Sequence, residues 1–167
     1  MNRPRYVALL RGITNMPMKP FRDAMEDLGC TDVESYATSG NLLFNARSSN
    51  PASLERRIAA RFHTAAFVRT RTEMARVVAQ DPLRAIVMFL AHPPAAAKKR
   101  AFLELDFLEP HPVLRGRTLY LSFPLRLRGR RTPLDIERAL DVRGTFRTAR
   151  VVAMLLARMS DRSKGSR

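Results

Sequence analysis

An α+β fold, built of two ferredoxin-like (split βαβ) subdomains with antiparallel or mixed sheets, is predicted by three observations. Apolar runs of strand length end abruptly in glycine or turn residues, and capped amphipathic stretches of helical period separate them. The order strand, helix, strand, strand, helix then recurs in the second half.

The first strand is the run Arg5 to Gly12, Arg-Tyr-Val-Ala-Leu-Leu-Arg-Gly. Asn15 is the expected N-cap of the helix that follows, with Pro17 and Pro20 confined to its first turn and Gly29 past its end. Met18, Phe21, Met25 and Leu28 recur at helical spacing and pack that helix on the sheet. Thr31 to Ala37 reads as a second strand, Thr38-Ser39-Gly40 as a turn, and Asn41 to Asn45 as a third strand. Asn50-Pro51 supplies an N-cap and a proline at the first helical position, and Ala65 to Arg69 closes the unit as a fourth strand. In this topology the first and third strands are central, antiparallel neighbours.

Thr70-Arg71-Thr72-Glu73 has capping-box spacing and begins a connecting helix to Asp81-Pro82. A strand at Ala85 to Ala91, a helix at 95–105 and a hairpin turning near Arg115-Gly116 follow. Thr132 as N-cap, Pro133 at the first helical position and Asp135 in the first turn are expected to open another helix. A final helix is expected from about Arg147 to Met159, with Val152, Leu155, Leu156 and Met159 on one side and Arg147, Arg150 and Arg158 on the other. The expected domains are 1–69, a connecting helix at 70–83, a second subdomain at 84–159, and a disordered tail at 160–167.

Two places gather chemistry. Pairing the end of the first strand with the start of the third brings Arg11 and Gly12 beside Ser39, Gly40 and Asn41, with Asn15 and Thr38 at the same edge. A guanidinium, backbone N–H groups and small hydroxyls near a helix start suit a phosphate or carboxylate. Each residue also has a local structural reason: Gly40 serves the turn, Asn15 caps the helix and Arg11 ends a strand. The second place is the cluster Arg115, Arg117, Arg126, Arg128, Arg130 and Arg131, joined by Arg147 and Arg150 of the last helix. Alternation puts Arg126 and Arg128 on one face of an extended segment, and with Tyr120 and Phe123 nearby the pattern is compatible with single-stranded nucleic acid. Solvated surface charge is the plainer explanation of the same run.

The balance of 30 Lys+Arg against 15 Asp+Glu gives +15, and 26 of the basic residues are Arg. Residues 1–83 carry 12 basic against 8 acidic residues, and residues 84–167 carry 18 against 7. A GC-rich coding background explains Arg in place of Lys but not the shortage of acids, so a field attracting polyanions is expected. No run reaches the roughly 20 apolar residues of a membrane helix and the start lacks a signal-peptide core, which places the protein in the cytoplasm without a membrane partner. The single Cys30 agrees with a reducing compartment. His63, His92 and His111 are scattered and no zinc, Walker, nucleophile-elbow or dinucleotide motif is present, so neither metal nor cofactor is expected. Glu104, Asp106 and Glu109 do not by spacing make an acid/base pair, and no catalytic constellation emerges.

Tyr6 to Ile13, the Met18-x-x-Phe21 helix ending Leu28-Gly29, Ser39-Gly40-Asn41-Leu42-Leu43-Phe44, and Thr132-x-Leu134 with Glu137-Arg138-Ala139-Leu140 together resemble the DUF1697 family of uncharacterised, mainly bacterial proteins. The resemblance implies two α+β subdomains and no established activity. The chain departs from it in the short Thr14-Asn15-Met16 loop, which lacks the family's glycines, and in Thr145-Phe146-Arg147-Thr148-Ala149-Arg150, where the family carries a tryptophan. The leading expectation is binding of a polyanion, foremost nucleic acid. The alternatives are an enzyme or sensor for a small anionic ligand at the Arg11 edge, and a homodimeric interaction module using a sheet edge or the last helix.

Overall fold

The five residues Tyr6–Leu10 are all buried and are paired along both sides, which makes them the central strand β1 of the first sheet. The computed structural model describes residues 5–47, 50–80, 86–122, 125–129 and 134–160. After β1 come α1 (Lys19–Asp27), β2 (Thr31–Ser35), β3 (Asn41–Asn45), α2 (Pro51–Phe62), β4 (Ala66–Thr70) and α3 (Arg71–Gln80). The sheet runs β2-β3-β1-β4 with every neighbouring pair antiparallel. Its register sets Ala8 between Leu42 and Val68.

Alternation then sorts the side chains. Tyr6, Ala8, Leu10, Leu42, Phe44 and Val68 pack with Met18, Met25, Leu54 and Ile58 as one core. Val7, Leu9, Leu43 and Phe67, pointing the other way, are buried as well. At about 1.5–3 kcal/mol for each large apolar side chain taken from water, this doubly covered sheet is the main source of stability in the unit.

The second unit repeats the scheme with β5 (Ile86–Leu90), α4 (Ala96–Leu103), β6 (Val113–Arg115), β7 (Thr118–Leu121), α5 (Ile136–Leu140), β8 (Gly144–Thr148) and α6 (Ala149–Ser160). Its sheet is β6-β7-β5-β8, again antiparallel throughout. Met88, Leu90, Leu114, Leu119 and Leu121 meet Phe102, Phe107, Ile136 and Leu140 in its core, while Val87, Phe89 and Tyr120 are buried on the opposite face. The chain divides into two compact units, Met1–Ala79 with Val152–Arg167 and Gln80–Val151. The sequence order alone groups the last helix with the second unit.

Several local signals act as read. Asn50 Oδ1 accepts from Ala52 N at 3.0 Å with Pro51 behind it. Thr70 and Glu73 form a reciprocal box, Thr70 N donating to Glu73 at 2.8 Å and Glu73 N to Thr70 Oγ1 at 3.2 Å. Others differ. Asn15 does not cap α1; it sits at φ 52°, and the helix starts at Lys19 with Met18 in the cap position and no side-chain bond. A start at Asn15 would carry Pro20 beyond the first turn, where its ring clashes with the carbonyl four residues back. The cap of α5 is Asp135, which accepts from Arg138 N at 3.1 Å; the expected Thr132 and Pro133 lie outside the described residues, as does the tail after Ser160.

The largest difference is at 144–148, where the final helix was expected to begin. This segment is strand β8, paired to β5 through Met88↔Phe146 and Val87↔Arg147. The helix starts only at Ala149, Thr148 Oγ1 accepting from Val151 N at 3.3 Å. Gly144 is demanded by packing: a Cβ there would stand 2.9 Å from the backbone oxygen of Phe89. Among the described residues no helix is long and apolar enough to cross a membrane.

Candidate functional site

In the first unit the end of β1 meets the turn before β3 as pairing requires. Leu10 N donates to Gly40 O at 2.8 Å, Arg11 N to Ala65 O at 2.9 Å, and Thr64 Oγ1 to Arg11 O at 2.8 Å. Thr38 Oγ1 approaches Asn15 Oδ1 at 3.4 Å. Not all of this edge faces a ligand. Asn41 is fully buried, and its Nδ2 donates to Tyr36 O at 2.9 Å and Ser39 Oγ at 3.0 Å, stapling the turn. Gly40 holds φ +71° where an added Cβ would come within 2.9 Å of Leu10 and Ile13 side chains. Arg11, Gly12, Asn15 and Thr38 are exposed and Ser39 is half-buried.

The corresponding end of the second sheet is more basic. Leu90 N donates to Arg117 O and Ala91 N to Arg143 O, both at 2.9 Å, so two arginines bracket the end of β5 next to exposed His92. Arg115 and Arg117 sit at the turn of the β6–β7 hairpin. Arg126 and Arg128 flank Leu127, which bridges Phe107 rather than a strand of the hairpin. The predicted alternation holds locally, Arg126 and Arg128 exposed and Leu125 and Leu127 packed on the core. Arg128 Nε pairs with Asp106 at 3.2 Å, both well exposed, a contact worth little in stability. Arg130, Arg131 and Phe123 lie outside the described residues.

Two nucleic-acid candidates are displaced. Tyr120 is 1% exposed, inside the sheet and closed to stacking. Arg147 belongs to β8 rather than to the last helix and is buried, its Nη1 donating to Phe146 O at 2.7 Å and Thr145 Oγ1 at 2.9 Å. Burial pushes its pKa down to about 10, which leaves it charged at neutral pH. Arg69 occupies the same place in the first unit, opposite Val7; at 1% exposure it donates to Val68 O at 3.0 Å and pairs with Glu55 at 3.3 Å. Each arginine folds back over an outward carbonyl of its own edge strand.

Sequence reasoning missed Arg143 and Phe146. Phe146 is 43% exposed at the sheet edge, with Arg143 just before β8 and Arg150 in the first turn of α6, both exposed. The signal was present in Gly-Thr-Phe-Arg-Thr, an alternation of period two, but with polarity reversed: the charge points in and the ring points out. Arg158 of α6 pairs with Glu34 at 3.7 Å and covers the Tyr36 ring at 4.9 Å. Cys30 is buried; desolvation raises its pKa, with Arg57 acting in the opposite sense, so the thiol is a poor nucleophile. Among the described residues no three His, Cys, Asp or Glu cluster as a metal site. By sequence the first unit carries 16 Lys/Arg against 8 Asp/Glu and the second 14 against 7, +8 and +7. The positive field thus belongs to both units.

Residues 3–120 match the family described as "Protein of unknown function (DUF1697)". The chain belongs to the DUF1697 family. The match includes the Arg11 edge and the β6–β7 turn of this DUF1697 protein, and ends before β8. Among solved structures, the conserved bacterial protein SP0830 from Streptococcus pneumoniae is similar at 17% identity, with a TM-score of 0.63 over 94% of this chain and 99% of the other. That likeness establishes the fold. No curated protein matches the chain.

Proposed function

We propose that this DUF1697 protein binds a polyanion, foremost nucleic acid, through arginines at the loops and strand ends of its second unit. The observation that carries the reading is the surplus of exposed cations: Arg115, Arg126, Arg143 and Arg150 are exposed and have no ion-pair partner among the described residues. Phosphates attract such groups by counterion release, whatever the base sequence. The closed sheet faces restrict the mode of binding. Ferredoxin-like RNA-binding modules stack bases on an open sheet face, and here Phe89 and Tyr120 on that face are buried. Contact therefore runs through edges and turns.

The test is the affinity of nuclease-treated protein for oligonucleotides across a salt series, beside an Arg115→Ala/Arg117→Ala/Arg143→Ala variant. The expected result is binding that weakens as salt rises, with the slope of log K against log salt smaller by about one for each phosphate-contacting arginine removed. Equal affinities and slopes in parent and variant would refute the assignment. A second reading, capture of a small phosphate- or carboxylate-bearing ligand, is favoured by the gathering of Arg11, Thr38 and Asn15 at one edge. It predicts phosphate binding that Arg11→Ala abolishes; unchanged phosphate affinity removes it.

A further inference from the structure

We infer that the outer edge of β8 is a docking strip for single-stranded nucleic acid, with Phe146 as a base-stacking platform and Arg143 and Arg150 as phosphate contacts. This rests on the nucleic-acid reading and narrows it to one strand type and one edge. The internal repeat supplies the comparison. Phe146 pairs with Met88 as Val68 pairs with Ala8, so the two occupy the same position of the scheme. Val68 is 0% exposed: the twelve-residue α2 accompanies β4, and Glu55 accepts from Val68 N at 2.8 Å. In the second unit the equivalent helix α5 has five residues, and its Glu137 reaches Gly144 N at 2.8 Å, two residues short of Phe146. The cover is cut back where the largest apolar side chain of the edge stands.

The backbone points the same way. Ala91 N bonding Arg143 O fixes the odd-numbered residues of β8 as those facing β5, which turns the N–H and C=O of Phe146 outward. Arg147 caps the carbonyl at 2.7 Å. That bond disfavours addition of another protein strand, which needs the acceptor, and leaves an outward N–H donor beside the ring. Arg143 lies roughly 10 Å along the chain from Phe146 at strand rise. Cations spaced about an exposed aromatic ring are the arrangement that holds single strands, the charges following the backbone while a base stacks. A duplex has no free base for the ring.

The test compares oligo(dT), an abasic strand of equal length and a blunt duplex by fluorescence anisotropy at near-physiological salt, for the parent, Phe146→Leu and Arg143→Ala/Arg150→Ala. The parent should prefer oligo(dT) to the abasic strand, and Phe146→Leu should erase that preference, weakening oligo(dT) about tenfold. Its melting temperature and abasic-strand affinity should stay unchanged. The arginine variant should weaken all three probes. If Phe146→Leu binds oligo(dT) like the parent, the strip is wrong while the polyanion reading stands; if the parent binds no probe, both fail. A concentration-dependent dimer that Phe146→Leu dissolves would make a second copy the occupant and overturn the proposal.

Discussion

Gly12 and Gly40 offer a controlled comparison, because they share a left-handed backbone, φ +73° and +71°, and differ in what surrounds them. An alanine at Gly12 meets no heavy atom within 4 Å, whereas one at Gly40 comes within 2.9 Å of both the Leu10 and Ile13 Cβ atoms. The conformational penalty, common to both, is about 1–2 kcal/mol. Forced packing at Gly40 adds about 1–3 kcal/mol, since Leu10 is held in the sheet core and cannot retreat. At about 2–4 °C per kcal/mol for a chain of this size, Gly12→Ala should lower the melting temperature by about 2–8 °C and Gly40→Ala by about 4–20 °C. Thermal denaturation followed by circular dichroism reads both. Equal shifts for the two variants would show that the turn relaxes freely, and would return Gly40 from a packing role to the Arg11 edge.

Further outcomes follow from the buried charges and the closed faces. Glu55→Gln should destabilise the protein by about 3 kcal/mol in urea denaturation, because Arg69 would remain buried without its carboxylate. Arg147 has a folded pKa of about 10, below its unfolded value, so from about pH 10 upward the unfolded chain binds more protons and folding gains stability as pH rises. The melting temperature of the parent minus that of Arg147→Met should accordingly increase between pH 9 and pH 11, roughly the window opened by the lowered pKa; a flat difference refutes it. Tyr120→Leu should reduce stability yet leave oligonucleotide affinity of the folded protein unchanged, as anisotropy titration would show; a loss of affinity would reopen the sheet face as a binding surface.

What the sequence disclosed was mostly local. Asn50-Pro51 and Thr70-x-x-Glu73 act within one helical turn, so their readings hold without knowledge of the rest of the chain. The pairing of β1 with β3 was legible because Tyr6–Leu10 and Leu42–Phe44 are apolar runs joined by a recognisable order. Asn15 misled because it was taken to cap a helix whose first turn held both prolines, whereas a helix counted from Asn15 carries Pro20 past that turn. At β8 the rule that apolar residues face inward fails, with Arg147 inside and Phe146 outside, and a helix with a basic face became the natural misreading. Arg147, expected on an exposed face, is buried, while exposed Arg143 and Phe146 were not among the candidates. The bridge of Leu127 to Phe107, which carries Arg126 and Arg128, joins segments twenty residues apart, and residue spacing does not encode it.

A chain that builds one scheme twice runs a risk during folding, since each edge strand has a near-twin. β4 and β8 are equal in length, pair antiparallel to a central strand and end in the same Arg-Thr step into a helix. Gly144 separates them. Where β8 has this glycine against Leu90, β4 has Ala66 against Leu10, and an alanine methyl beside β5 would press on the carbonyl oxygen of Phe89. Gly144→Ala should therefore cost stability at β8 where Ala66 costs none at β4, which sets apart two strands that otherwise read alike.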